Sequence, residues 1–549
     1  MNSRLLSKCL AIILALTCSA FAQTKDDIPY LQKHGNGIQL YVHGKPFLML
    51  GGELHNSSSS SVEYMRPIWA KLASMNLNTV LAPVSWELIE PQEGKFDFRV
   101  VDGLISDAHA NNLHLVFLWF GSWKNTYSSY VPEWVKRDEK RFPRVLLADG
   151  RPTERLSPFS ETNRKADARA FGELMKHIRD VDSAQTVLMI QVENEVGVIP
   201  EARDYSPVAN AAFAAAVPKP LMDYIRAHSD FLSGELRKVW IGAGKKTTGN
   251  WEEVFGKTPL TADFFMAWQY ATYIDSVAAA GKAAYPLPMY TNAALIRPNY
   301  QPGQYNSGGP LPHSIDIYRA GAPHLDFFSP DIYFDNFAEW VSRYRREGNA
   351  VFVPEAKGGS LGAANALYVI GELAGIGFSP FAIDGAMEMP PAEKPESIER
   401  PIRNTYAALS HLSDLIVSKQ GTDQLRTVLL EGEAQRSAKG SIGGYDVNLF
   451  RAGAGGDRPG VEHLAILLIE TAPDELLAVG SGPGVVTFTN ESNGSSIVGI
   501  ASIDEIVQVN GEWKTLRRLN GDENGQGQVL RLQDLSERPT IYKVRLYRY

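Results

Sequence analysis

Cysteine is almost missing from the chain: Cys9 and Cys18 are the two thiols in 549 residues, and both lie within the first 22. From residue 23 onward a disulfide framework and any cysteine metal site are therefore excluded, and the core must hold by burial alone, which a chain of this size can do. Basic charge is also short. The 54 Lys and Arg face 62 Asp and Glu, a formal net charge of −8, and no Lys/Arg cluster supplies the basic footprint of a nucleic-acid binder. Long apolar runs are lacking after the N-terminus. The most apolar segment, Leu367 to Ile383, is interrupted by Glu372 and Pro380, which argues against a membrane span and predicts a buried helix followed by a strand. No His-Glu-x-x-His element occurs, and His55 has no partner at metal-ligand spacing, so neither a hydrolytic metal nor another cofactor is expected.

The N-terminus has a character of its own. Arg4 and Lys8 precede an uncharged run from Cys9 to Thr17, followed by the small-residue pattern Ala20-Phe21-Ala22. This predicts a signal peptide cut after Ala22 and a secreted or periplasmic protein. A lipid anchor at Cys18 is the lesser alternative, because Thr17 stands where Gly or Ala is usual.

After residue 36, apolar runs and helical segments alternate. The runs lie at Phe47, at Asn78 to Leu81, Leu113 to Trp119, Val187 to Ile190, Met289 to Thr291, Leu325 to Phe328, Val351 to Val353 and Phe378 to Ile383. Continuous apolar strands separated by helices imply a parallel sheet covered on both faces, and eight such units predict a closed (β/α)8 barrel, the TIM-barrel form of the α/β class. A hairpin, Ile38 to Val42 returning through His43-Gly44, precedes it. Beyond a helix from Ile402 to Ser418 the pattern changes to short alternating strands, with Asn510-Gly511 as a hairpin turn. The predicted organisation is a leader over 1–22, a catalytic barrel with its N-terminal hairpin over 23–420, and an all-β, sandwich-like domain over 421–549. Monomer and dimer both remain open.

In such a barrel the reacting groups come from the C-terminal ends of several strands. Here those ends read Glu53, Glu87, Trp123-Lys124-Asn125, Glu193-Asn194-Glu195, Asn292, Asp331-Ile332-Tyr333, Glu355 and Asp384. Two carboxylates facing each other across the mouth are what glycosidic-bond cleavage needs, one to protonate the leaving oxygen and one to attack the anomeric carbon. Tryptophans such as Trp123 and Trp268 add flat faces for a sugar ring. Each residue also has a plainer reading: the glutamates as a solvated strand end, Tyr333 as core, Glu53 and Glu87 as structural supports. Strand alternation puts Glu193 and Glu195 on one face and Asn194 on the other, so periodicity does not choose between the acids.

Read together, "WELIEPQEGKFDF" (Trp86 to Phe98), "QVENEVG" (Gln191 to Gly197) and Val353-Pro354-Glu355 resemble glycoside hydrolase family 35, whose characteristic activity is exo-acting β-galactosidase. The resemblance covers roughly residues 36 to 390, and its Asn-Glu element is shared by the wider clan A of retaining barrel glycosidases. It implies Glu195 as general acid/base and Glu355 as nucleophile, in a double displacement that retains anomeric configuration. It further implies that Asn194 holds the hydroxyl next to the reacting carbon, that Tyr333 hydrogen-bonds Glu355 and favours its ionised form, and that Asn125 contacts the sugar. If Asn194 and Glu195 both reach the sugar, the strand must twist or bulge as it ends, leaving Glu193 as a buried support.

The expected substrate is a β-galactoside oligosaccharide or a polysaccharide side chain, of the plant cell-wall kind. Several positions depart from the family. Pro83 replaces a tyrosine, His55-Asn56-Ser57-Ser58 lacks an arginine, Tyr127 replaces a glutamate two residues after Asn125, and Ala356-Lys357 follow Glu355 without the usual aromatics. These changes touch sugar recognition rather than bond cleavage and mark a divergent branch. The alternatives are a clan A exo-glycosidase for another sugar, such as a β-glucosidase or α-L-arabinopyranosidase, or a non-catalytic sugar-binding protein.

Overall fold

The computed structural model describes residues 28–334, 336–385, 395–432, 434–451, 463–490, 497–533 and 538–549. The expected leader, with Cys9 and Cys18, lies outside the described residues. Strands β1 (Tyr30–His34), β2 (Gly37–Val42) and β3 (Lys45–Phe47) form an antiparallel sheet. β2 and β3 turn at His43 and Gly44, with φ of +49° and +71°, values that suit a two-residue hairpin. The second arm, expected to continue to Leu50, instead divides at Leu48, and β4 (Met49–Glu53) enters the barrel.

Seven further strands complete that barrel: β5 (Thr79–Ser85), β6 (His114–Lys124) and, beyond a small hairpin of β7 (Arg144–Leu146) and β8 (Pro152–Leu156), β9 (Val187–Asn194), β10 (Met289–Ala294), β11 (Phe327–Ile332), β12 (Phe352–Ala356) and β13 (Gly377–Pro380). They close in the order β4-β5-β6-β9-β10-β11-β12-β13, every neighbouring pair parallel. Each predicted apolar run lies in or beside one of these strands. The runs are continuous because both faces are buried. Along β6, Val116, Leu118 and Phe120 join an interior cluster, whereas Leu115, Phe117 and Trp119 join the layer shared with the surrounding helices.

The interior cluster shows how the barrel is closed at one end. Met49, Leu188, Tyr290, Phe327 and Phe352, all at or near the N-terminal starts of their strands, pack with Leu40 and Val42 of β2 and with half-buried Leu31, Ile38 and Phe47. The N-terminal sheet is thus a floor, and the C-terminal ends form the mouth.

After the helix Pro395–Lys419 come β14 (Leu425–Leu430), β15 (Ser437–Ile442), β16 (Tyr445–Arg451), β17 (Leu464–Ala472), β18 (Glu475–Gly480), β19 (Gly484–Thr489), β20 (Val498–Val509), β21 (Glu512–Leu519), β22 (Leu530–Leu532) and β23 (Ile541–Arg548). They form a six-stranded sheet, β14-β17-β18-β23-β20-β21, and a four-stranded sheet, β15-β16-β19-β22. Alternation along β17 explains its unbroken hydrophobicity: Leu464, Ile466 and Leu468 pack with residues of the second sheet, while Ala465, Leu467 and Ile469 pack with the barrel's helical layer. The contact with the helix Gly359–Gly371 is close. A Cβ built on Gly371 would stand 2.1 Å from Thr427 Oγ1, so glycine is required there to let helix and strand meet.

Candidate active site

At the mouth, the side chains of Glu53 (β4), Lys124 (β6), Asn194 and Glu195 (β9), Asn292 (β10), Asp331 and Tyr333 (β11) and Glu355 (β12) come from six strands. All except Tyr333 are buried. One carboxylate oxygen each from Glu195, Asp331 and Glu355 lies within 4.8 Å of the other two. Three acids at that spacing could also hold a cation, but positive charge near them is already supplied by Lys124, whose ammonium acts on all three and on Glu53.

The end of β9 is irregular, as the functional reading of Asn194 and Glu195 requires. Its register against β6 slips between Trp119 and Lys124, and Glu193 and Glu195 adopt φ of +61° and +45°, a region that non-glycine residues enter only when their surroundings enforce it. Hydrogen bonds supply the enforcement. Glu195 N–H donates to Asn292 Oδ1 at 3.0 Å, and Glu195 C=O accepts from Asn306 Nδ2 at 3.1 Å. Glu193 turns away from the mouth and accepts from the backbone N–H groups of Ser122 (3.1 Å) and Trp123 (2.8 Å). Gly121 is required beside it, since a Cβ there would lie 2.6 Å from Glu193 Oε1 and 2.8 Å from Asp167 Oδ1. β12 also shifts register, between Val353 and Ala356, around Glu355.

Burial, then the charge of Glu355, pushes the Glu195 carboxyl from its ordinary 4.5 up to about 7, against the opposing pull of Lys124 and a hydrogen bond with Asp331. Burial and the neighbouring carboxylates hold Glu53 and Asp331 well above the usual carboxylate range as well. Burial alone would lower the pKa of Lys124, but the carboxyls around it outweigh this and raise it. Tyr333 donates its hydroxyl proton to Glu355 Oε1, and Asn292 Nδ2 donates to Asp331 Oδ2. Several polar atoms at the mouth remain buried without a protein partner: both side-chain polar atoms of Asn194, Glu355 Oε2, Glu53 Oε1, Asp331 Oδ1 and the Tyr290 hydroxyl. A hydroxyl-rich ligand in the mouth would satisfy these atoms.

The structure therefore gathers Glu195, Glu355, Asn194 and Tyr333. The two tryptophans chosen from the sequence require correction. Trp123 is fully buried, its ring packed edgewise against Tyr270 and Tyr273 and its Nε1 donating to the Leu156 carbonyl. Trp268 is 8% exposed and packs with the core in the helix Pro259–Ala284, against Gly321. Neither presents a free face to a sugar. Asn125 is exposed at the rim, where it and Thr126 form a two-residue turn at φ +50° and +71°; asparagine suits that backbone by itself. Lys124, Asn292 and Asp331 were named from the sequence as strand ends without a role, and Tyr290 was not singled out. The first three share a position at the end of an apolar run, whereas Tyr290 lies near the start of β10 and its hydroxyl is felt by Glu53, Asp331 and Glu355; their convergence depends on barrel closure.

The chain is similar to proteins described as β-galactosidases. A family model described as β-galactosidase, that of glycoside hydrolase family 42, matches residues 58–262, and one described as a domain of unknown function (DUF5597) matches residues 402–531. The family matched is thus not the family 35 that the motifs resemble. The β-galactosidase of Xanthomonas manihotis is 27% identical over 219 residues, 38% of this chain and 33% of that protein. The human β-galactosidase-1-like protein 3 is 30% identical over 179 residues, 31% of this chain and 25% of that protein. The chain thus spans a third or less of the length of these two curated relatives. Among solved structures, a β-galactosidase from Bacillus circulans sp. alkalophilus aligns over 91% of this chain and 99% of its own, at 11% identity and a TM-score of 0.48.

Proposed function

We propose that this protein is an exported, cofactor-free, retaining exo-β-galactosidase. In this reading the barrel over 23–420 is the catalytic module, 421–549 the accompanying β module and 1–22 the leader. The observation that carries the reading is the pairing of Glu195 and Glu355 across the mouth, one carboxylate oxygen of each within 4.8 Å of the other. Retaining glycosidases hold their carboxyls roughly 5 Å apart, whereas inverting enzymes need about 6.5 Å or more to admit a water.

In the first step a Glu355 oxygen attacks the anomeric carbon while Glu195 transfers its proton to the glycosidic oxygen, and the C–O bond to the leaving sugar breaks. In the second, ionised Glu195 removes a proton from water, the resulting hydroxide displaces Glu355, and the sugar departs with its original configuration. Glu195 holds its proton up to about pH 7, as the first step demands. Once Glu355 is esterified its charge is gone, Glu195 becomes a stronger acid, and it can act as base. Asn194, with both polar side-chain atoms unpartnered, binds the hydroxyl beside the reacting carbon.

The motifs resemble family 35 while the family model that matches is that of family 42, and both support the coarser reading of a β-galactosidase. The departures at His55 to Ser58 and Pro83 bear on the choice of sugar. Separate Glu195→Ala and Glu355→Gly variants, assayed with azide and an activated aryl β-galactoside, test the mechanism. Glu195→Ala should yield β-galactosyl azide and Glu355→Gly the α-azide. The reverse pattern swaps the roles, and unaffected rates in both end the reading. Brisk turnover of a β-glucoside or α-L-arabinopyranoside with none of the β-galactoside overturns the sugar assignment. Inertness toward every glycoside, with oligosaccharide still bound, replaces the enzyme by a sugar-binding protein.

A further inference from the structure

The end of β6 builds a feature that the two displacement steps do not use. Lys124 and Tyr127 face each other across the two-residue Asn125-Thr126 turn and exchange both backbone hydrogen bonds, Lys124 N–H to Tyr127 C=O at 2.9 Å and Tyr127 N–H to Lys124 C=O at 3.0 Å. Residues paired in this way project their side chains from the same face of the ribbon. The Lys124 ammonium faces Glu355, Glu195, Glu53 and Asp331. Tyr127 therefore rises from the side of the rim that looks onto the mouth.

The Tyr127 ring is held flat. Arg155, 4% exposed, lays its guanidinium over one face at 4.3 Å from the ring centroid, and its Nε donates to Thr126 Oγ1 at 3.1 Å. The ring is still 48% exposed, so one aromatic face is fixed from below while much of the ring stays open to solvent. A ring fixed on one side and open on the other offers a face on which an apolar ring surface can stack. Its position selects what does so. Arg155 also lies within electrostatic reach of Tyr270, whose hydroxyl donates to the Gly197 carbonyl at 3.0 Å, two residues beyond Glu195. Lys124 pairs with Asn194 at the end of β9, so the ring stands beside the strand end that carries Glu195, the side on which the leaving group is protonated.

We infer that the open face of Tyr127 is the platform for the leaving-group sugar, the pyranose on the reducing side of the bond being cut, whose apolar C–H face stacks on the ring. This inference rests on the proposed glycosidase activity and adds to it a second subsite, built on the residue that replaces the glutamate of the resembled family.

The test compares β-1,4-linked galactobiose, which fills both subsites, with β-galactosyl fluoride, whose leaving group carries no ring. The ratio of kcat/KM for galactobiose to that for the fluoride should fall about tenfold in Tyr127→Ala and stay within about twofold of wild type in Tyr127→Phe, which keeps the aromatic face and loses only the hydroxyl. Turnover of the fluoride by Tyr127→Ala reports that the variant is folded. An unchanged ratio in Tyr127→Ala, or a fall of equal size in Tyr127→Phe, overturns the platform. Failure of the wild-type protein to cleave either substrate overturns the parent activity and the subsite with it, and is distinguished from the former outcomes by the wild-type rate alone.

Discussion

Lys124 is where the chemistry of single residues departs most from what their order in the chain conveys. It is a buried cation at the mouth among four acids, and its charge is one of the forces holding the Glu195 carboxyl down while burial and Glu355 push it up to about 7. Replacing Lys124 with methionine removes a charge that stabilises ionised Glu195, so the Glu195 pKa must rise. The basic limb of the kcat/KM profile, expected near pH 7 in the wild type, should move to higher pH in Lys124→Met. A limb that stays or falls would show that Lys124 does not act on the acid/base. The same carboxyl has a consequence for stability. Its folded pKa is raised above 4.5, so its contribution to stability is full below pH 4.5 and is lost as pH rises through about 7. Glu195→Gln should therefore gain thermal stability relative to wild type at pH 8, with a smaller difference at pH 4, measurable as Tm at the two values. At this scale the sequence carried Tyr333 and the two carboxylates proposed to react, because strand ends can be found from apolar runs. Trp123 and Trp268 misled for physical reasons: a tryptophan at a strand end can face the mouth or the helical layer, and one on a helix such as Pro259–Ala284 can turn into the core, and only the closed barrel decides which.

The end of β9 shows what an element can and cannot announce. Eight apolar runs, in order, were enough to predict the barrel, and the need for Asn194 and Glu195 to share a ligand predicted an irregular strand end. The details of that end were not readable, because φ of +61° at Glu193 and +45° at Glu195 express no local preference of glutamate. They are enforced by partners 70 or 71 and 97 residues away in sequence, on β6 and β10. Glu193→Ala strips the buried backbone N–H of Trp123 of its acceptor and leaves that of Ser122 with Asp167 Oδ2 alone, at 3.2 Å, which should cost about 1–3 kcal/mol for the group left unsatisfied. Urea unfolding should show that loss, and kcat should fall because the turn that aims Glu195 slackens. Full stability with normal kcat would remove Glu193 from its supporting role. A smaller displacement appears at Ser57 to Ser61. Ser60 and Glu63 have the spacing of a capping box, yet Ser61 is the residue whose side chain accepts from Tyr64 N–H, because Ser58–Ser60 wind into a 3-10 turn first.

For the whole molecule, composition said that burial must replace disulfides, and the structure shows burial running through the junction between the barrel and the six-stranded sheet. Leu425, Ala465, Leu467, Ile469, Leu477, Val479, Ile506 and Ile541 belong to the same apolar cluster as the barrel's helical layer. Thr427 Oγ1 donates to the Leu367 carbonyl at 2.9 Å, and its N–H to Glu372 Oε2 at 3.1 Å. The change in pattern after residue 420 marked two architectures, but not that β17 is apolar on both sides because it has two neighbours to cover. Two units that share a core should unfold as one. Leu467→Ala, at a fully buried position that closely approaches Gly371, should cost about 2–5 kcal/mol through lost transfer energy and the cavity left behind. Trp513 is the only one of the ten tryptophans that lies beyond residue 420, so intrinsic fluorescence chiefly reports the barrel, whereas the substitution lies in the appended sheet. In urea, fluorescence, far-ultraviolet circular dichroism and glycosidase activity should be lost in one transition, displaced to lower urea in the variant by the same amount for all three probes. A barrel fluorescence midpoint that stays fixed while part of the dichroism shifts would mean that the units are stable independently. The junction would then be a surface contact rather than shared core.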